Sequence, residues 1–437
     1  MTTTTAACLH TDALEALRNA PLDDTHKGVP LGVTTTLAEV GSRGWNVAAG
    51  DLSLPVTTLD AEALESNLQA MAEYCRRHDV SFAPHGKTTM APQLFDRQLR
   101  AGAWALTCAT PTQAAVMRRF GASRIIVANE ITEPSAWRWL VRECAADPGL
   151  RVLSLVDSVA TVEHVDAVLE SLSPDRSADV LLEVGVPGGR AGVRTSQEAL
   201  AVAAAVRRSA HLRLVGVEAY EGLVTSGSGP EDLAALDAFM GRVRQVVLDL
   251  AAEGLLSGVE VVVTAGGSAY FDRVVSGLSG WNAVEQPVRV VLRSGCYVSH
   301  DAGKYHRLSP LDGRAPASED LQLRNALTAW ASVLSRPEPD LVVLGAGKRD
   351  LAHDLSLPAA RTLFPSSGGQ IDLRGRTETF KLMDQHAFLR VPVDLAIAPG
   401  DVVALDQDHP CTAFDKTTFV PILDPDHVVV DAVRTFF

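Results

Sequence analysis

The chain has 437 residues, 46% hydrophobic and 21% charged, enough to bury one large domain or two ordinary ones and too apolar for a disordered chain. Lys and Arg number 39 against 53 Asp and Glu, a net charge of −14 that argues against nucleic-acid phosphates or an anionic membrane and for a small-molecule partner. Six scattered cysteines (Cys8, Cys75, Cys108, Cys144, Cys296, Cys411) fit a reducing cytoplasm, and residues 1–20 lack a signal pattern while no run approaches the ~20 apolar residues a bilayer needs.

The first fifty residues carry no clear periodicity and read as an arm, residues 1–53, packing on one of two domains. From residue 54, β-branched runs at 54–59, 80–84, 103–109, 124–129, 151–156, 180–184, 214–219, 260–264 and 289–292 alternate with stretches such as 61–77, 112–120 and 231–252. In those stretches apolar residues recur at spacings of three and four, the helical period. Setting the first run aside leaves eight strands, the number of a (β/α)8 barrel, assigned to residues 54–304; a doubly wound open sheet is the alternative. Around Lys304 the pattern changes, and residues 308–320 are rich in Pro, Gly and Asp. Runs at 328–334, 340–344, 402–405 and 428–430 then predict a smaller, mostly antiparallel β domain over 305–437.

Lys87, in Pro84-His85-Gly86-Lys87-Thr88, lies just past the first barrel strand, on the face where barrel active sites are built. A partly buried lysine there loses its proton readily and forms a Schiff base, whereas a solvated surface lysine stays charged. Thr264-Ala265-Gly266-Gly267-Ser268 follows an apolar strand and precedes a short helix, an arrangement that cradles phosphate but also serves as an ordinary strand-to-helix turn. Arg293-Ser294-Gly295-Cys296-Tyr297 offers a tyrosine hydroxyl on the neighbouring rim, or a packing ring. In Asp408-His409-Pro410-Cys411, imidazole and thiolate two residues apart point to one side of an extended chain, a borderline-soft pair suited to zinc rather than magnesium or calcium. Lysine, phosphate nest and metal pair together suggest pyridoxal 5'-phosphate, PLP.

With Gly189-Arg190-Ala191-Gly192-Val193 added, these stretches occur in the order found in the D-serine dehydratase/D-threonine aldolase family, which the chain resembles from about Leu54 to Phe437. That family belongs to the alanine-racemase-like, fold-type III PLP enzymes, and Gly345-Ala346-Gly347-Lys348-Arg349-Asp350 and the closing Thr435-Phe436-Phe437 look most like its bacterial amino-acid deaminase-like members. The resemblance implies that Lys87 carries PLP, that Gly266, Gly267, Ser268 and Tyr297 bind its phosphate, and that Arg190 and Tyr220 lie near its ring. Arg190 has an alternative as a surface ion-pair residue, and Tyr220 as strand packing. His409 and Cys411 match the metal pair of the dehydratase branch, whereas aldolases commonly have His and Asp there. Glu221 stands where some relatives have histidine, and His386 is either a proton carrier or a structural residue.

The implied activity is β-elimination from a D-3-hydroxy amino acid such as D-serine or D-threonine, giving a 2-oxo acid and ammonia, with Lys87 as base and zinc or another divalent metal on the leaving hydroxyl. The alternatives are retro-aldol cleavage to glycine and an aldehyde, an amino-acid racemase, and a non-catalytic PLP-binding protein. Relatives imply a homodimer.

Overall fold

The computed structural model describes residues 8–314 and 321–437; the opening threonines and the end of the 308–320 segment lie outside the described residues. Eight strands form one wholly parallel sheet. In chain order they are Ser81–Phe82, Leu106–Cys108, Arg124–Glu130, Arg151–Val156, Ala178–Val184, Leu212–Ala219, Val261–Ala265 and Val288–Leu292. The last pairs with the first, and the sheet closes where Trp104 N–H donates to the Phe82 carbonyl (2.6 Å), Thr107 N–H donates to that of Pro84 (2.9 Å), and His85 bridges Thr107. Closure selects the barrel over the open sheet.

Parallel strands covered on both faces read as unbroken apolar runs, which is why the sequence shows them. Ala83, Ala105, Ile126, Leu153, Leu155, Leu181, Val215, Val262 and Val291 form a closed cluster of their own, filling the barrel interior. Around it lie helices such as Ala61–Arg77, whose Asp60 caps the Ala63 N–H at 2.7 Å and whose Leu64, Leu68, Met71 and Tyr74 make the buried stripe.

A second sheet of ten strands is antiparallel except for one pairing. Its long central strand, Leu327–Glu338, pairs on one side with Val402–Asp406 and on the other with Val56–Asp60. The chain thus contributes a strand to this sheet before it enters the barrel, and Trp330 Nε1 donates to Thr58 Oγ1 across that pairing at 2.8 Å. Strands Ala359–Phe364, Glu378–Leu382, Ala387–Arg390 and Phe419–Leu423 complete its main part beyond the predicted runs. The N-terminal region is more ordered than its lack of pattern suggests: helix Thr11–Arg18 and strands Pro21–Asp23 and Thr34–Thr36 precede an isolated bridge from Asn46 to Val428, just before strand Val429–Arg434.

Candidate active site

Strand Ser81–Phe82 ends in His85 and the short 3-10 turn Gly86–Thr88, which carries Lys87, half-buried, to the C-terminal mouth of the barrel. His85 lies among cations: burial first, then Lys87, Arg293 and Arg190, hold its imidazole well below its usual range, and its Nδ1 has no hydrogen-bond partner among the described residues. Gly295 makes this approach possible, since a Cβ there would stand 2.6 Å from both the His85 carbonyl oxygen and Thr88 Oγ1.

Arg190 and Tyr220 are brought together, the guanidinium carbon 5.0 Å from the ring centroid. Burial and the neighbouring Glu221 push the Tyr220 hydroxyl up to about 12, so it stays protonated and able to donate. Beneath them Arg293, only 4% exposed, pairs with the buried Glu218 and donates to the Ala219 carbonyl at 2.9 Å, while its Nε and Nη1 lack partners among the described residues. Glu183 stands beside Glu218 on the next strand; burial, then Glu218 and Glu130, push its carboxyl up to about 9.

Three residues expected at the phosphate have partners within the protein. The N–H groups of Gly266 and Gly267 both donate to the fully buried Glu221 carboxyl, at 3.1 and 2.7 Å. The glycines also shape the turn, Gly266 with φ +101°. Ser268 Oγ accepts the Cys296 N–H at 3.0 Å and keeps its own proton to donate. The Tyr297 hydroxyl accepts from Gln98 Nε2 (3.1 Å) on helix Pro92–Arg100, and its ring packs edge-on against Phe82 (5.1 Å). His386 is exposed on the turn between strands Glu378–Leu382 and Ala387–Arg390, its carbonyl accepting Met383 N–H.

Strand Val402–Asp406 delivers His409 and Cys411 to the same mouth. The helix Pro410–Phe414 packs on the Gly86–Thr88 turn, and Thr88 Oγ1 stands 3.4 Å from Cys411 Sγ. Asp408 anchors the approach by accepting Lys304 N–H (2.9 Å) and Ser356 Oγ–H (2.9 Å). His409 holds the left-handed backbone, φ +65°, a strained conformation for a non-glycine residue that costs about 1–3 kcal/mol and clusters at functional sites. Its Nδ1 is 2.5 Å from Asp354 Oδ2, which leaves Nε2 as the nitrogen that faces Cys411. Hydrogen bonds from Cys296, His409 and Thr88 hold the Cys411 thiol well below its usual range, and the bond to Cys411 raises His409 to about 9.

The donor chemistry fits both expected groups. A half-buried lysine, unpartnered N–H groups on Arg293 and the Ser268 hydroxyl suit an anionic carbonyl cofactor, and a thiolate beside an imidazole oriented by carboxylate suits a soft divalent metal. Among the described residues, no group of three or more His, Cys, Asp or Glu side chains is placed to hold a metal ion. Sequence spacing did not reveal Asp354, Glu221 or Arg293 in these roles; Arg293 lay in a stretch with a chemical signal, at a barrel strand end, and Glu221 stood out only where some relatives have histidine.

The model of the alanine racemase N-terminal domain matches residues 59–277, half the chain, and that of a putative serine dehydratase domain matches residues 326–423. The chain is 28% identical over 311 residues to the 3-hydroxy-D-aspartate aldolase of Paracoccus denitrificans (strain Pd 1222), covering 70% of this chain and 75% of that protein. Its fold matches the D-threonine aldolase of Filomicrobium marinum with TM-score 0.74 at 24% identity, over 90% of this chain and 97% of that one. The D-threo-3-hydroxyaspartate dehydratase of Delftia sp. HT23 matches with TM-score 0.70 at 20% identity, over 89% and 99%.

Proposed function

The chain belongs to the family defined by the alanine racemase N-terminal domain, and from that membership we propose that it is a PLP- and zinc-dependent dehydratase. Its substrate is a D-3-hydroxy amino acid such as D-serine or D-threonine, and its products are a 2-oxo acid and ammonia. The observation that carries this reading is the meeting of the lysine turn with the His-x-Cys pair from the far end of the chain, through Thr88 and Cys411.

Lys87 would hold PLP, Ser268 would donate to its phosphate, and Arg190 and Tyr220 would flank its ring. Bound PLP supplies a sink for the charge left at the substrate Cα. Lys87 Nζ takes the α-proton from the face it occupies. Arg293, tied to Glu218, keeps a cation rather than a carboxylate under the site, which moderates that sink. His409 and Cys411 would hold zinc, or another divalent metal, which supplies Lewis acidity to the departing β-hydroxyl. Tyr220, with its proton retained, orients the substrate from the Arg190 side.

The aldolase reading, cleavage to glycine and an aldehyde, is supported by the name of the Paracoccus relative. The cysteine at position 411 favours the dehydratase. We also propose a homodimer working in the cytoplasm, in line with the absence, among the described residues, of any helix long and apolar enough to cross a membrane. The arm at 1–53, barrel at 54–304 and β domain at 305–437 form the proposed domain division, with strand Val56–Asp60 lent to the β domain.

The test is to offer the PLP- and zinc-loaded protein the D and L forms of serine and threonine, with and without EDTA. Release of 2-oxo acid and ammonia from the D forms alone, lost with EDTA, is expected; metal-dependent glycine and aldehyde would move the protein to the aldolase branch, and no product from any of them would overturn both readings.

A further inference from the structure

We propose that the floor of the barrel, at the end of the strands away from the active-site mouth, binds a phosphate dianion, free or as the ester group of a small metabolite. The side chains two places before the interior apolar residues of six consecutive barrel strands are Arg124, Arg151, Asp179, Arg213, Glu260 and Arg289. Strand alternation turns them to the same inner face, and their contacts agree. Arg151 Nε and Arg213 Nη2 both reach the buried Asp179, at 2.9 and 2.6 Å, and Arg289 Nη2 pairs with Glu260 at 2.8 Å. Arg289 Nη1 also donates to Ser81 Oγ on the first barrel strand, at 2.8 Å.

Four guanidinium charges face two carboxylates, so this floor keeps two positive charges in a chain whose net charge is −14. The arginine left over is Arg124. Its Nη1 donates to the Trp104 carbonyl at 2.8 Å, its guanidinium carbon stands 4.6 Å from the Trp104 ring centroid, and its buried Nε has no partner among the described residues. Arg289 approaches the same ring, at 5.4 Å. Burial first, then Arg151 and Arg289, pull the Arg124 guanidinium below its usual range, as expected of a cation crowded by cations.

Two open spaces meet at Arg124. A cleft of about 1340 Å³, bordered by helices Ala61–Arg77 and Pro92–Arg100, is lined by Trp104, Arg124 and Arg289, and a recess of about 310 Å³ is lined by Arg124, Arg151 and Arg213. Ion pairs that served only to close the barrel need no excess of cations. The excess here matches the charge of a phosphate dianion, whose tetrahedral oxygens take donors from several guanidiniums at once, whereas a single carboxylate would leave one charge uncompensated. The larger cleft has room for the organic part of a phosphate ester.

Calorimetric titration of the PLP-loaded protein with inorganic phosphate, and separately with glycerol phosphate, reads the site while the cofactor occupies the mouth. Saturable binding with a Kd of about 1 mM or tighter is expected, with a change in tryptophan emission that Trp104→Phe removes. Arg124→Met should weaken binding at least about tenfold. Glu260→Gln releases Arg289 from its carboxylate and should tighten binding about threefold, a gain that an unfolded variant could not show. Tighter binding of glycerol phosphate than of phosphate assigns the site to an ester, and the reverse order to free phosphate. No saturable binding up to about 10 mM, or an affinity that neither Arg124→Met nor Glu260→Gln changes, would overturn the site.

Discussion

The carboxylate of Glu221 sits on the backbone N–H of Gly267 at 2.7 Å, and its second oxygen takes that of Gly266 at 3.1 Å. A fully buried acid thus closes the glycine turn from within, and the chain spends its two best anion donors on its own side chain. Burial pushes this carboxyl up while the two donors pull it down. Glu221→Gln keeps the shape but turns one acceptor into an N–H donor facing another N–H. We expect a loss of about 1–3 kcal/mol and weaker PLP retention, read by thermal unfolding and by the visible absorption of the loaded protein.

Lys87→Ala should remove the visible absorption of lysine-bound PLP and lower turnover by about 10³-fold or more, since both tether and base are lost. Thermal stability without cofactor should change little, because Lys87 is only half-buried and no ion pair holds it among the described residues. Spectra and rates measured on the same preparation check both.

Gly295→Ala brings a Cβ to 2.6 Å from the His85 carbonyl and Thr88 Oγ1. The lysine turn must shift, and its cofactor affinity should fall at least about tenfold, with an overpacking cost of about 1–3 kcal/mol. Equilibrium loading with PLP, followed spectroscopically, measures the first; denaturant unfolding measures the second.

Glu183 supplies the pH prediction. Its folded-state value near 9 lies above the unfolded carboxyl at 4.5, so its contribution to stability is fully present below about pH 4.5 and is lost as pH rises toward 9. Glu183→Gln, which cannot ionise, should therefore raise Tm relative to wild type by about 2 °C at pH 8 and show a smaller gain at pH 5. Calorimetry at the two pH values decides; an equal difference at both would remove ionisation as the cause.

Much of the barrel was legible because strands such as Arg151–Val156 and Val261–Ala265 are buried on both faces and appear as β-branched runs. Phe419–Leu423 was missed since Pro421 argues against a strand, and Ala359–Phe364 since its apolar residues do not alternate. Lys87, His409 and Cys411 announced themselves through residue type and position. Glu221 did not, because its role depends on a contact 45 residues away that no local spacing encodes. Tyr297 shows a related limit: the strand end places the residue on the rim, but the direction of its side chain is set by Gln98 on the helix Pro92–Arg100 and by Phe82 on the first barrel strand, contacts that no local spacing encodes.

D-Threonine can undergo either reaction, so a single incubation with the PLP- and zinc-loaded enzyme tests the central claim. Quantifying 2-oxobutanoate with ammonia and glycine with acetaldehyde in the same tube should show the first pair in large excess, and Cys411→Ala should remove most of it. Glycine and acetaldehyde in excess would contradict the dehydratase and make the chain an aldolase.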